Sequence, residues 1–186
     1  LAGTPVLADK KSPDVVFASP VSGTVVEVVR GEKRKLLAVK IKSDGRKVSE
    51  KFSPVEDIEK MDAAQIKDIL LKGGVWPFIV QRPYGIIANP EIAPKAVFVS
   101  AFSTAPLAAD ADFAFAGEIA YIQAAVSALG RLSEGGVHMS FNADTYAKSP
   151  LRNIQGVKAH LFKGAHPAGN VGVQIHHICP IRKGQV

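Results

Sequence analysis

The residues best suited to chemistry lie in one aromatic stretch, Val75-Trp76-Pro77-Phe78-Ile79-Val80-Gln81-Arg82-Pro83-Tyr84, which holds the only tryptophan of the 186-residue chain. Trp76, Phe78 and Tyr84 beside Arg82 could form a flat apolar surface with a guanidinium at its edge. An aromatic, carbonyl-bearing ring such as a quinone would stack there and accept a hydrogen bond from Arg82. The same residue types make a protein-interface hot spot, and they equally make a core anchor between two domains.

Other chemistry is poorly served. A dinucleotide site would occupy the turn after the apolar run Ala96-Val97-Phe98-Val99. That turn, Ser100 to Asp110, contains no glycine, so a backbone cannot close on a pyrophosphate. Asp110 and Asp112 suit a helix N-terminus electrostatically but repel a phosphate. A second loop, Gly164-Ala165-His166-Pro167-Ala168-Gly169-Asn170-Val171-Gly172, is glycine-rich but lacks the Lys-Ser/Thr pair of a phosphate cradle; its plainer role is to pack a helix against a sheet. Of the five histidines, His176 and His177 are adjacent, and no pair has the i, i+4 spacing of a helical zinc site. The remaining three, His138, His160 and His166, are read as structural. The single cysteine, Cys179, rules out a disulfide framework or a thiolate zinc site within the chain. Its apolar neighbours Ile178 and Pro180 mark it as inert.

The elements that must position these residues follow from periodicity. Residues 1–52 read as short strands (Val15–Ala18, Val25–Val29, Leu36–Ile41) separated by turns, too few to close a barrel alone. Residues 53–86 read as a helical connector. Ser53-Pro54-Val55-Glu56 and Asp62-Ala63-Ala64-Gln65 both have the capping-box form, Ile66, Ile69 and Leu70 share one face, and Gly73-Gly74 stops the helix. Residues 87–186 read as α/β. A continuously apolar strand at 96–99 is followed by a helix from about Asp112 to Ser133 with the stripe Phe115, Ile119, Ile122, Val126 and Leu129. Strands at 137–141 and 157–161 follow. Residues 170–180 fit helix or strand by pattern and are taken as helix, because a doubly wound sheet requires one.

Charge is uneven. Residues 1–51 carry 11 Lys/Arg against 6 Asp/Glu, and residues 52–186 carry 12 against 11. The excess, in Arg30, Lys33, Arg34, Lys35, Lys40, Lys42, Arg46 and Lys47, is a solvated β face, or a surface for anionic lipid or an acidic partner. No aromatics are interleaved with it, which argues against nucleic acid. No apolar run reaches the roughly 18–20 residues of a membrane-spanning helix.

Several segments in order resemble one family. Asp9-Lys10-Lys11-Ser12-Pro13-Asp14-Val15-Val16-Phe17-Ala18-Ser19-Pro20-Val21-Ser22-Gly23-Thr24-Val25-Val26 is similar to half of a lipoyl/biotinyl-type hammerhead. Together with Arg30-Gly31-Glu32-Lys33-Arg34, Gly74-Val75-Trp76, Arg82-Pro83-Tyr84, Pro106-Leu107-Ala108-Ala109-Asp110 and the 164–172 loop, it resembles the A-subunit of the sodium-translocating NADH:quinone oxidoreductase over nearly the whole chain. The resemblance implies a partial barrel-sandwich unit (1–52), a connector (53–86) and a cofactor-free Rossmann-like α/β domain (87–186). It implies an interior piece of a longer protein, peripheral on the cytoplasmic side of the bacterial inner membrane. The partners would be the other subunits of the sodium pump. NADH, FAD, FMN, iron–sulfur and quinone chemistry would belong to the whole complex, with no cofactor held by this chain. The quinone-associated segment would fall at about Ile79 to Ile86, making Trp76, Phe78, Arg82 and Tyr84 the candidate contacts. A structural adaptor on the membrane subunits is the alternative. No lipoyl or biotin attachment is expected at Lys10 or Lys11, because neither stands alone at a tight hairpin tip.

Overall fold

The computed structural model describes residues 1–52 and 55–186. At the N-terminus, β1 (Pro5–Ala8) pairs antiparallel with β2 (Val16–Ala18). Asp9 closes the turn between them: its carboxylate accepts from the backbone N–H of Lys11 at 2.7 Å and of Ser12 at 3.0 Å. Next comes an antiparallel ribbon of β3 (Gly23–Arg30) and β4 (Leu36–Ser43), with register breaks after Val25 and Val29. Its tip holds Lys33 and Arg34 at φ of 52° and 60°. Side chains alternate across a strand, so Leu37, Val39 and Ile41 share a face with their cross-strand partners Val25 and Val28. Beside the ribbon the Ser22 hydroxyl is buried, 2.6 Å from the Asp44 carboxylate and 2.7 Å from the Arg46 carbonyl. That hydroxyl and the Arg46 N–H hold the Asp44 carboxyl below its ordinary value.

The first expected capping box falls on Ser53 and Pro54, outside the described residues. The second is formed. Asp62 accepts from the Gln65 N–H at 2.8 Å, and Gln65 accepts from the Asp62 N–H at 2.9 Å. These reciprocal bonds start α1 (Ala63–Lys72), whose Ile66 is buried. Gly74 ends the helix at φ 67°. A Cβ there would sit 2.7 Å from that of Ala18, so only glycine lets the chain pass β2. The chain divides into two compact units. One holds β1–β4 with Asp68–Ile79, and the other holds the 3-10 turn Val55–Lys60 through Lys67 together with Val80–Val186.

In the second unit a small hairpin, β5 (Val80–Gln81) and β6 (Ile86–Ile87), precedes a parallel sheet. The sheet order is β7 (Val97–Ser100), β8 (Val137–Asn142), β9 (Val157–Phe162). The single helix expected from about Asp112 to Ser133 is in fact two, α2 (Ala111–Ala114) and α3 (Ile119–Gly130). Gly117 at φ 84° is the reason, since a left-handed residue cannot continue a right-handed helix. Phe115 thereby leaves the stripe and is exposed. Ile119, Ile122, Val126 and Leu129 keep to it and pack on Val137, Met139 and Phe141, with Leu151 and Ile154 completing the core. The residues over 170–180 do form a helix, α4 (Val171–Ile178). Gln174 of α4 donates to the Ser100 hydroxyl at 3.1 Å, and Ser100 pairs with Ser140. Ser140 faces away from Met139, so α3 and α4 cover opposite faces of the sheet, as a doubly wound arrangement requires. Among the described residues no helix is long and apolar enough to cross a membrane.

Candidate functional site

The aromatic stretch separates by environment. Trp76 opens a 3-10 turn, Trp76–Phe78, that packs on β2, and it is buried at 6% exposure. Phe78 is 82% exposed and Tyr84 78%. The boundary between the two compact units falls after Ile79, so Trp76 and Phe78 belong to the first and Arg82 and Tyr84 to the second.

Arg82, Pro83, Tyr84 and Gly85 form the four-residue turn joining β5 to β6. Gly85 takes φ 67° and donates to the Gln81 carbonyl at 3.0 Å. The Gln81 side chain in turn accepts from the Asn89 N–H at 3.0 Å, which ties the segment after the hairpin back to β5. The half-buried Arg82 reaches the first turn of α4: a Cβ at Gly172 would lie 4.0 Å from its Nη1. No hydrogen bond or ion pair engages its guanidinium among the described residues. A helix N-terminus carries partial positive charge, so two positive features lie side by side. The chemistry they favour is donation to an electron-rich oxygen, with Tyr84 free to stack.

The glycine-rich loop packs rather than cradles. Gly169 is buried, and a Cβ on it would lie 2.3 Å from the Thr104 nitrogen. Its N–H donates to the Thr104 hydroxyl at 2.9 Å, and the same hydroxyl lies 3.2 Å from His166 Nδ1. With Gly169 donating into it, the hydroxyl has its own hydrogen to give to His166. The loop after β9 is thus fastened to the loop after β7. Beneath it, the Oε1 of buried Gln174 has no partner among the described residues.

At the carboxyl ends of β7 and β8 lies a cavity of about 180 Å³. Asp110 and Asp112, the two carboxylates unfavourable to phosphate, both line it. Asp110 caps α2, accepting from the Phe113 N–H at 2.9 Å. Asp112 accepts from the Ser149 hydroxyl at 2.6 Å. Asn142, Thr145 and Tyr146 also line the cavity, and no motif in the sequence marks them. Their one signal is position: they follow directly on the end of a parallel strand, where such sheets bind ligands.

A pairing of histidines is likewise absent from the sequence pattern. His138 Nδ1 and His160 Nε2 lie 3.0 Å apart, with ring planes only 2° from parallel and Phe98 against His138. Burial disfavours the charged form of both rings and lowers their pKa values, helped by Lys158 and, for His138, by its partner. One ring nitrogen therefore carries a hydrogen that the other accepts. His176 and His177 stand at the end of α4, 5.7 Å apart edge to face. No group of three or more His, Cys, Asp or Glu could hold a metal ion among the described residues.

Comparison with known proteins covers both parts of the chain. Residues 1–44 match the family model of the NqrA N-terminal barrel-sandwich hybrid domain, and residues 61–186 that of the NqrA second alpha/beta domain. These agree with the expected partial β sandwich followed by an α/β domain. The chain is 39% identical over 184 residues to the A-subunit of the Na(+)-translocating NADH-quinone reductase of Rhodopirellula baltica, covering 96% of this chain and 40% of that protein. It is 35% identical over 185 residues to the protein of the same name from Pseudomonas aeruginosa, covering 98% and 40%. With that of Yersinia pseudotuberculosis the identity is 34% over 180 residues, covering 96% and 40%. The chain thus spans about two fifths of the length of these relatives.

Proposed function

The chain belongs to the NqrA family, the A-subunits of the Na(+)-translocating NADH-quinone reductase. On that premise we propose that it serves as part of such a subunit, presenting the Arg82–Tyr84 turn to a quinone. The observation that carries this is local to the turn. A guanidinium without an internal partner lies beside the positive end of α4, two residues from an aromatic ring that is 78% exposed. Reduction places negative charge on the oxygens of a quinone ring. An N–H donor on a cation holds a charged oxygen more strongly than a neutral one, so Arg82 favours the reduced side of the reaction while Tyr84 holds the ring plane. Phe78 lies in the other unit and is not part of this turn. The burial of Trp76 favours an anchoring role for that residue.

The electron chemistry is assigned to other subunits, which would be this chain's partners and would hold the flavins and iron–sulfur groups. A single cysteine cannot ligate a cluster, and the turn after β7 carries carboxylates where a phosphate-bearing flavin or NADH would need donors. The chain is placed at the bacterial inner membrane, peripheral and on the cytoplasmic side. The relatives' names, which say Na(+)-translocating, support a place at a membrane; among the described residues no helix is long and apolar enough to cross one.

The test uses the assembled reductase with a short-chain quinone. Arg82→Ala is expected to raise KM for the quinone about tenfold, equivalent to about 1.4 kcal/mol. Arg82→Lys should recover part of that loss, and Tyr84→Ala should raise KM by a smaller factor. An unchanged KM in both alanine variants would overturn the quinone role and leave the structural adaptor.

A further inference from the structure

We propose that the cavity at the carboxyl ends of β7 and β8 binds one uncharged, hydroxyl-bearing ring of sugar size. The assignment rests on the match between the walls and the hydroxyl group. Asp110 and Asp112 each commit one side-chain contact to the fold, to the Phe113 N–H and to the Ser149 hydroxyl respectively. A carboxylate has two oxygens and several lone pairs, so both retain acceptor capacity toward the cavity. Opposite in character are three donors. Asn142 spends its carbonyl oxygen on the Asp144 N–H at 2.9 Å, which leaves its NH₂ group. The NH₂ of Asn142 and the hydroxyls of Thr145 and Tyr146 make no hydrogen bond among the described residues.

Charged acceptors and neutral donors in one small space select among ligands. A phosphate or a carboxylate would meet like charge. A quinone carbonyl offers only lone pairs, which suit the donors but oppose the carboxylates. An ammonium suits the carboxylates and wastes the donors. A hydroxyl gives one hydrogen and accepts two, so it satisfies both sets at once. Ser103 and Ser149 also line the cavity, and the rest is alanine with Phe102 and Phe141, Tyr146 meeting the Phe141 ring edge-on with centroids 5.0 Å apart. The alanines and the half-buried Phe102 give the C–H face of a sugar ring an apolar contact. A volume of about 180 Å³ lies well below the roughly 300–1,000 Å³ of pockets for drug-sized ligands, so it admits a single ring. The location is the one where open parallel sheets bind ligands, outside the carboxyl ends of the strands. The cavity draws on neither Arg82 nor Tyr84, so the inference stands or falls apart from the proposed quinone contact.

The experiment is saturation-transfer-difference NMR on the full-length protein, with D-ribose as probe and ribose 5-phosphate as its charged counterpart. A saturable signal from the ribose ring protons is expected, with millimolar affinity. Ribose 5-phosphate should bind at least tenfold more weakly. Asp112→Asn should weaken ribose binding at least fivefold. Because Asp112 also holds Ser149, the milder Thr145→Val tests the same cavity without touching that bond, and a severalfold loss is expected there too. Absence of a saturable ribose signal, a signal unchanged in Thr145→Val, or tighter binding of the phosphate would each overturn the proposal.

Discussion

β4 and β8 carry the same alternation and meet opposite fates. In β8, Val137, Met139 and Phe141 are 1%, 2% and 3% exposed. In β4, Leu37 is 59% exposed, and its face-mates on β3, Val25 and Val28, are 47% and 46%. Both strands point every second side chain to one side. β8 has a strand on each flank and helices on both faces, while β4 has one partner strand and an open apolar face. Alternation therefore states which face is apolar and nothing about whether it is covered. The energetic consequence is large, since fully burying one such side chain is worth about 1.5–3 kcal/mol, and a two-stranded ribbon alone is marginal in water.

The widest separation between the two regions should appear in large-to-small substitutions. Met139→Ala is expected to cost about 2–5 kcal/mol, whereas Leu37→Ala should stay within about 0.5 kcal/mol, as surface changes do. Urea unfolding followed by circular dichroism measures both. A Leu37→Ala cost rivalling that of Met139→Ala would mean that the ribbon face is covered in solution, and the comparison would collapse.

A smaller effect separates the regions by pH. His138 and His160 titrate below the ordinary 6.5 in the folded chain. As pH falls through 6.5 the unfolded chain takes up protons first, so the stability present above that value is lost on acidification. Asp44 beside the ribbon is also depressed, below 3.8. By the same sign its contribution is present above 3.8 and is lost only below it. Replacing both histidines by glutamine should flatten the stability curve between about pH 7 and 5 while leaving the acid limb in place. An unaltered slope between pH 7 and 5 would show that other groups govern that window.

The smallest expected effect belongs to the ribbon's own ion pair. Lys40 and Glu27 meet at 2.7 Å with side chains 60% and 53% exposed. Lys40→Ala should change stability by about 0.5 kcal/mol or less, and 1 M salt should abolish even that. A loss that survives high salt would show the pair to be shielded, again contradicting an open ribbon.

Much of the fold is readable because its signals are local. The Asp62/Gln65 capping box spans three positions, and both of its bonds are formed. The apolar runs at 97–99, 137–141 and 157–161 are parallel strands. Asp110 is a helix cap, as a carboxylate before a helix should be. The extended helix over 112–133 fails at Gly117, where a backbone requirement overrides an apolar stripe that continues through it. The candidate contacts are legible as residue types but not as a surface. Trp76 and Phe78 sit two apart in one apolar stretch, and nothing in their spacing says that one is buried against β2 while the other faces water.

What the sequence by itself determined, then, was the set of elements and their apolar faces, the glycine-free turn after β7, and the carboxylates that close it to phosphate. Each of these depends on neighbours within a few positions. The tertiary structure alone decided that His138 meets His160, that Asp112 meets Ser149 in the cavity wall, and that Arg82 comes to rest against Gly172. These pairs are separated by 22, 37 and 90 positions. Whether such groups touch is set by the register of parallel strands and by helix packing on the sheet, which local periodicity does not encode.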